Sequence, residues 1–289
     1  MESADNIFVI NLLKDKERME IISQELNKYS IKFNRFDAVY GKNLSDEEIN
    51  DKVSLIGKNL LCHHSMVGCY LSHVNLWKKL INDENNDFYL VFEDDFIIKD
   101  YESLSKLYNL YKNKRIDKDY LSLFVMHSDI KTSKIEELDG VKICKKIFPF
   151  TTVGYFITKK RAINLLKRLG NKIHYHIDIS LVYLSKLYKD CEIYNTYNNV
   201  LSLNNEGLLK SNNTGNLQQK TILSLMPPDK YFPFQSPALT IKMKYNISTE
   251  TLLFFILSIL FYYLSIKRKN IIFYLLFIIT FTNFILSLF

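Results

Sequence analysis

Residues 88–95, FYLVFEDD, place five apolar or aromatic residues directly before three acidic ones. Such an unbroken apolar run predicts a strand that is buried on both faces, and the acids then follow at its carboxyl end, where α/β folds bind their ligands. In an extended chain Glu93 and Asp95 point to one side and Asp94 to the other. The pair is therefore a candidate site for a hard cation such as Mg²⁺ or Mn²⁺. A solvated acidic turn is the alternative interpretation.

Strand and helix patterns alternate on both sides of this stretch. Apolar runs predict strands at 7–13, 33–39, 121–126 and 152–158, and amphipathic spacing predicts helices at 14–29, 67–81, 162–169 and 179–188. The 289 residues are 47% hydrophobic and 24% charged, with only 8 glycines and 5 prolines, so a disordered or collagen-like class is excluded. Strands separated by helices predict an α/β fold with a mostly parallel sheet.

Charge and cysteine usage exclude other classes. The net charge is +7, but no run of five or more basic residues occurs, so we expect no nucleic-acid partner. The four cysteines are too few for a disulfide framework in a chain of this length. One segment contains possible zinc ligands, with Cys69 and His73 four residues apart on one helical face. The segment lacks a second short pair, which favours core packing of Cys69 over zinc binding. Its members are Cys62, His63, His64, Cys69 and His73.

The composition changes after residue 225. Four prolines at 227, 228, 233 and 237 predict a linker over 226–246. Two uncharged apolar segments follow at 251–266 and 271–289. As helices they would span about 24 and 28 Å, close to the ~30 Å hydrocarbon core of a membrane. These features predict a catalytic domain at 1–225 and a C-terminal membrane anchor at 247–289, with one or two transmembrane helices. Because the N-terminus does not have the pattern of a signal peptide, we expect the catalytic domain in the cytosol.

Short motifs in a fixed order indicate a family. The motifs are Ile10-Asn11-Leu12 with Arg18, Arg35-Phe36-Asp37-Ala38-Val39 with Gly41, Gly68-Cys69-Tyr70-Leu71-Ser72-His73 with Trp77, Val91-Phe92-Glu93-Asp94-Asp95, and Gly154-Tyr155-Phe156-Ile157-Thr158 with Asp178. With these motifs the chain resembles glycosyltransferase family 25 over roughly residues 6–212. That family includes bacterial lipooligosaccharide galactosyltransferases and collagen hydroxylysine galactosyltransferases. Departures from the family pattern at Leu13, Lys14 and Tyr40 concern base and sugar selectivity.

The resemblance implies a nucleotide-sugar-binding domain of the GT-A type, a divalent metal that is commonly Mn²⁺, and an inverting transfer from a UDP-sugar. A carboxylate-held metal suits this chemistry, because it neutralises the charge that grows on the leaving diphosphate. By the resemblance, Glu93 and Asp95 lie at the metal and diphosphate. The residues implied around the nucleotide and donor are Asn11, Arg18, Asp37, Ser72, His73 and Asp94.

An inverting transfer also needs a general base on the face opposite the diphosphate. The segment His174-Tyr175-His176-Ile177-Asp178 supplies an acid where the family pattern has one, so Asp178 is our candidate base. Two alternatives remain open. In an extended segment His174, His176 and Asp178 share a face and could bind the metal, or Asp178 could cap the helix predicted at 179–188.

The combined expectation is a membrane-anchored, metal-dependent inverting glycosyltransferase. It would move a hexose, galactose or glucose, from a UDP-sugar to a glycan, a lipid-linked saccharide or a protein hydroxyl. Two other functions fit parts of this pattern. A family-like domain without catalysis could serve in binding or adhesion, although intact Glu93, Asp95 and Asp178 argue against it. A sugar nucleotidyltransferase also uses a carboxylate-bound metal at an α/β nucleotide site.

Overall fold

A computed structural model describes residues 5–54, 62–125, 135–145, 151–204 and 249–287. The chain divides into two compact units, Met1–Leu223 and Ser224–Phe289. The predicted linker at 226–246 lies outside the described residues.

The first unit alternates strands and helices along the chain. Two short 3₁₀ helices, Gly41–Asn43 and Lys189–Cys191, accompany the longer elements. In order, these are β1 (Ile7–Asn11), α1 (Lys16–Asn27), β2 (Asn34–Asp37), α2 (Asp46–Lys52), α3 (His64–Asn82), β3 (Phe88–Phe92), β4 (Phe96–Ile98), α4 (Tyr101–Lys112), β5 (Tyr120–Ser122), β6 (Glu136–Leu138), β7 (Val141–Cys144), β8 (Gly154–Thr158), α5 (Lys159–Leu169), α6 (Ile177–Leu187), β9 (Tyr194–Thr196) and β10 (Leu201–Leu203).

The main sheet has eight strands in the order β2-β1-β3-β8-β5-β9-β7-β6, and β4 pairs with β10 in a separate antiparallel ribbon. Neighbours are parallel at β2-β1, β1-β3 and β5-β9, and antiparallel at the other four junctions. The predicted α/β class is therefore confirmed. The prediction of a mostly parallel sheet is wrong, because the sheet is mixed. An apolar run reveals that a strand is buried and not in which direction it runs, so the antiparallel insertion of β8 left no signal in the sequence.

The central strand β3 is buried on both faces, because its side chains contribute to two apolar layers. Leu90 and Phe92 pack in one layer with side chains of α1 and α4, such as Leu26. Tyr89 and Val91 pack in the other with side chains of α3, α5 and α6. All five residues of β3 are buried, as the sequence predicted.

Element boundaries differ from the predictions mainly at short elements. The strand predicted at 88–92 coincides with β3, while the predicted strand at 121–126 is only three residues long in β5 and its last residue lies outside the described part. Helices predicted at 162–169 and 179–188 begin earlier, at Lys159 and Ile177. The helices α2 and α4 and the strands β4, β6, β7, β9 and β10 were not predicted. Most of these strands have only three residues, too few for a periodic pattern.

The second unit contains a helical hairpin of α7 (Thr249–Arg268) and α8 (Ile271–Ser287). The side-chain oxygen of Asn270 accepts a hydrogen bond from the backbone N–H of Ile272 (2.8 Å) at the start of α8. The rings of Tyr262 and Phe277 pack between the helices, with centroids 5.1 Å apart.

The predicted transmembrane helices are wrong. Within the part of the chain that the structure describes, no helix combines the length and apolar character that crossing a membrane requires. The 17 residues of α8 extend over about 26 Å, and α7 carries Lys267 and Arg268 in its last turn. The predicted C-terminal anchor and the membrane-anchored localisation are corrected accordingly.

Candidate active site

A cavity of about 120 Å³ opens beside the carboxyl ends of β1 and β3. These strands are parallel neighbours, so the residues that follow them meet at one edge of the sheet. One side of α3 forms the opposite wall. The polar side chains around the cavity are Asn11, Lys14, Arg18, Tyr40, Lys42, Ser65, Cys69, Ser72, His73, Glu93, Asp94 and Asp95.

The acidic segment does not continue as an extended strand. β3 ends at Phe92 and the chain bends at Asp94 and Asp95, so all three acidic residues line the same cavity. The expected alternation, with Asp94 pointing away, is therefore absent. One Asp94 oxygen accepts a hydrogen bond from the Asn11 side-chain amide (2.6 Å), and the other lies 2.5 Å from the Arg18 guanidinium. Burial raises the pKa of Asp94, and these two contacts oppose the shift.

Asp95 has a buried carboxyl oxygen without a partner among the described residues. Its Oδ2 lies 3.3 Å from the Arg18 guanidinium, but its Oδ1 has no hydrogen-bond partner among the described residues. Burial, together with the nearby charge of Glu93, raises the pKa of Asp95 to about 7, although Arg18 acts to lower it. One arginine therefore does not compensate this group, and a bound cation would.

Glu93 is held by a chain of buried side chains. Its Oε1 accepts a hydrogen bond from the Thr152 hydroxyl (2.5 Å) and lies 3.3 Å from His73 Nε2. His73 Nδ1 lies 2.8 Å from the Tyr155 hydroxyl, which accepts a hydrogen bond from the Trp77 indole (2.9 Å). Burial acts to raise the pKa of Glu93, but the contacts with His73 and Thr152 hold it below its ordinary value.

Ser72 connects α3 to the segment that follows β2. Its buried hydroxyl accepts the backbone N–H of Val39 (2.8 Å) and donates to the carbonyl of Gly68 (2.7 Å). Gly68 permits this close approach, because a Cβ there would stand 2.5 Å from the Val39 carbonyl oxygen and 2.6 Å from the Gly41 nitrogen. Ser72 thus lines the cavity and also fixes the position of its wall.

Asp37 is not brought to the cavity. Its side chain is 75% exposed, forms an ion pair with Arg35 (3.1 Å) and lines a separate open groove. Arg35 also donates from Nε to the side-chain oxygen of Asn11 (3.0 Å). Through Arg35 and Asn11 the Asp37 side chain is linked to the cavity without lining it.

Asp178 lies in the first turn of α6, because this helix begins at Ile177 with His176 as its N-cap. The predicted capping role of Asp178 is therefore wrong, and so is the extended segment that would have aligned His174, His176 and Asp178. One carboxylate oxygen of Asp178 lies 3.2 Å from His176 Nδ1, and the other is buried without a partner among the described residues. Asp178 is not among the residues lining the cavity, yet its charge reaches that wall. It adds to the effect of burial in raising the pKa of the Cys69 thiol.

Several residues of the site were missed by sequence reasoning. Cys69 was expected in the core, but it is only partly buried and lines the cavity beside Glu93. Tyr155 lay inside a quoted motif without a role, and Thr152 gave no signal. Two arrangements within the site could hold a metal: the carboxylates of Glu93 and Asp95, and a cluster of Cys69, His73 and Glu93 whose ligand atoms lie within 4.8 Å of one another.

The chain is similar in sequence to known proteins. The sequence model of glycosyltransferase family 25, described as an LPS biosynthesis protein, matches residues 4–181. Procollagen galactosyltransferase 1-A of Xenopus laevis is 28% identical over 174 residues, which cover 57% of this chain and 28% of that protein. A putative glycosyltransferase of Haemophilus influenzae is 28% identical over 185 residues, or 59% of this chain and 60% of that protein.

A relative from Drosophila melanogaster, named glycosyltransferase 25 family member, is 28% identical over 174 residues, covering 57% of this chain and 28% of that protein. The matched region thus spans between about a quarter and three fifths of these relatives. The family match covers more than half of this chain and includes the acidic segment, the wall of α3 and Asp178. The chain therefore belongs to glycosyltransferase family 25.

Proposed function

We propose that this glycosyltransferase moves a hexose, galactose or glucose, from a UDP-sugar to a hydroxyl group of a glycan, a lipid-linked saccharide or a protein. The transfer depends on Mn²⁺ or Mg²⁺ and inverts the anomeric carbon. The name of the Xenopus relative, a procollagen galactosyltransferase, supports galactose as the first sugar to test. The observation that carries the proposal is the buried, unpartnered carboxylate oxygen of Asp95, beside Glu93 in a cavity at the end of β3.

The residues present fit a divalent cation. Three carboxylates line the cavity, and Arg18 is the cation paired with two of them. Hard divalent ions prefer carboxylate oxygens as ligands. The Oδ1 atom of Asp95 has no hydrogen-bond partner among the described residues, so it can serve as such a ligand. Glu93 and Asp95 would hold the ion, which supplies a Lewis acid for the leaving diphosphate.

Other side chains of the cavity prepare it for a charged donor. Asn11 and Arg18 fix Asp94, so that this acid cannot swing into the space of the donor. Lys14 and Lys42 line the same cavity and bring positive charge that diphosphate oxygens can use. The donor would thus meet basic side chains as well as the acidic segment in one cavity.

Asp178 is the proposed general base. Inversion requires the acceptor hydroxyl to attack from the face opposite the diphosphate, and a carboxylate there takes the proton of that hydroxyl. One oxygen of Asp178 is buried without a partner among the described residues, and the other lies 3.2 Å from His176 Nδ1. Asp178 does not line the cavity, so it would meet the acceptor and not the donor. The carboxylate is thus oriented by one contact and free at the other oxygen.

The first experiment measures UDP release by the full chain from UDP-galactose and UDP-glucose, with Mn²⁺ and with EDTA. We expect release only with the metal, and a loss of about 10²–10³-fold in Asp95→Asn, the scale of removing one electrostatic stabiliser. Asp87→Asn is the matched control, because Asp87 precedes the same strand at its opposite end and is 66% exposed. Metal-independent release, or an Asp95→Asn rate equal to that of the control, would refute the proposal.

The second experiment tests the base. Asp178→Asn should keep the affinity for the UDP-sugar and lower turnover about 10²–10⁴-fold, because only proton transfer is lost. Asp190→Asn, at an exposed position after α6, is the control. Proton NMR of the product gives its anomeric configuration. Normal turnover of Asp178→Asn rejects the base assignment, and a retained configuration rejects inversion.

A further inference from the structure

One wall of the donor cavity brings together three different metal-ligating groups. The sulfur of Cys69, a ring nitrogen of His73 and a carboxylate oxygen of Glu93 all lie within 4.8 Å of one another. Cys69 and His73 are one helical turn apart on α3, and Glu93 follows β3. All three line the cavity, so an ion among them would keep an open position toward it.

Two of the five cysteines and histidines between residues 62 and 73, Cys69 and His73, belong to this ligand group. Cys62 is buried, and its thiol donates to the carbonyl of His174 (3.6 Å). His63 caps α3 through its Nδ1, which accepts the backbone N–H of Met66 (3.4 Å). Neither belongs to the ligand group, whereas Glu93, distant in sequence, does.

Outer contacts already orient the three groups. His73 Nδ1 is held by the Tyr155 hydroxyl, which Trp77 holds in turn, and both tyrosine and histidine are at most 1% exposed. The Thr152 hydroxyl donates to Glu93. In metal sites such contacts on the second nitrogen of a histidine and on a ligating carboxylate fix the ligands in place. The cluster therefore has the organisation of a built site.

The chemistry of the set indicates which ion it takes. A thiolate, an imidazole and a carboxylate are ligands of Zn²⁺, whereas Mg²⁺ and Mn²⁺ favour oxygen ligands. Three protein ligands with one open position are the pattern of zinc sites that keep a place for water or substrate, in contrast to closed structural sites with four protein ligands. We propose that Cys69, His73 and Glu93 form a Zn²⁺-binding site in the wall of the donor cavity.

Binding at this site releases one proton. The Cys69 thiol loses its proton when the sulfur binds the ion. His73 would bind the ion as a neutral ring through Nε2, with its single proton on Nδ1 facing the Tyr155 oxygen, so the ring releases no proton. Glu93 enters as a carboxylate. The balance is one proton released for each Zn²⁺ bound.

A Zn²⁺ ion at this position has a consequence for transfer, which rests on the proposed function. Glu93 would then be a ligand of Zn²⁺, and it could no longer hold the Mn²⁺ or Mg²⁺ ion together with Asp95. Zn²⁺ thus competes with the ion that assists the diphosphate, and we expect it to inhibit transfer in the presence of Mn²⁺. Binding of Zn²⁺ itself does not depend on any activity.

Cobalt is the direct probe, because Co²⁺ replaces Zn²⁺ and a cobalt–thiolate bond gives a charge-transfer band in the near ultraviolet. Titration of the metal-free full chain should give this band at one Co²⁺ per chain, and Zn²⁺ should abolish it. Cys69→Ser should lose the band, while the matched variant Cys62→Ser should keep it. Tyr155→Phe should bind the ion about 10–100-fold more weakly, as expected for loss of an outer contact.

Absence of the band in the wild type, or its persistence in Cys69→Ser, would overturn the site. If Cys69→Ser does not fold, alkylation of the wild type decides: Zn²⁺ should protect Cys69 from iodoacetamide, and equal labelling with and without Zn²⁺ refutes the proposal. UDP release with Mn²⁺ separates the two proposals. A cobalt band without UDP release would support the Zn²⁺ site and reject the proposed function. Mn²⁺-dependent UDP release without a cobalt band would support the function and reject the Zn²⁺ site.

Discussion

Replacing Asp95 with asparagine is expected to stabilise the metal-free protein at neutral pH while it removes the metal-dependent activity. Burial and the charge of Glu93 raise the pKa of Asp95 from 3.8 to about 7. In the unfolded chain this group ionises near its ordinary value. Between about pH 4 and 7 the folded protein therefore retains a proton that the unfolded chain has lost, and stability falls as the pH rises through this window.

The size of the effect follows from the shift. A pKa raised by roughly 3 units corresponds to about 4 kcal/mol, at 1.36 kcal/mol per unit. The difference in unfolding free energy between Asp95→Asn and the wild type should grow by about this amount from pH 4 to pH 8. Hydrogen bonding of the new amide shifts this difference equally at every pH, so it does not change the slope. For a domain of this size, 4 kcal/mol corresponds to roughly 8–16 °C in Tm.

Urea and thermal unfolding in EDTA, at intervals from pH 4 to pH 8, measure this difference. Asp87→Asn is the control. Lys114 lowers the pKa of Asp87, so the Asp87 carboxylate stabilises the fold as the pH rises, which is the opposite of Asp95. Because Asp87 is 66% exposed, this effect should be small. Mn²⁺ should stabilise the wild type and leave Asp95→Asn unchanged. A difference between Asp95→Asn and the wild type that stays flat across the pH range would refute the reasoning.

Three further substitutions test the walls of the cavity. Gly68→Ala should cost about 1–3 kcal/mol in unfolding free energy, because its Cβ meets the backbone oxygen of Val39; urea unfolding measures this, and an unchanged midpoint contradicts it. Tyr155→Phe should cost about 1–3 kcal/mol by leaving the buried Trp77 N–H unpaired, with a lower Tm by calorimetry as the readout. Arg18→Met should cost about 3–5 kcal/mol in EDTA, because two buried carboxylates lose their counter-charge. Added Mn²⁺ should restore part of that stability, and equal unfolding with and without metal would count against the cation site.

Local pattern carried much of the fold. β3 could be predicted to the residue, because five consecutive apolar or aromatic side chains are typical of a strand that is buried on both faces. The helices α1, α3, α5 and α6 were predicted because their apolar faces repeat over several turns, whereas the 12-residue α4 was missed. Strand direction, the short strands and the failure of the C-terminal segments as membrane spans could not be predicted in this way. They depend on which elements pair and on where each helix ends.

The sequence by itself determined the family and the acids at the end of β3, since ordered motifs and a buried strand depend only on neighbouring residues. It did not determine how those acids are used. The bend after Phe92 brings Asp94 to Asn11 and Arg18, and the pairing of β8 with β3 puts Tyr155 within reach of His73. Only the tertiary structure decides such contacts, because they join residues up to 83 positions apart and leave no local pattern.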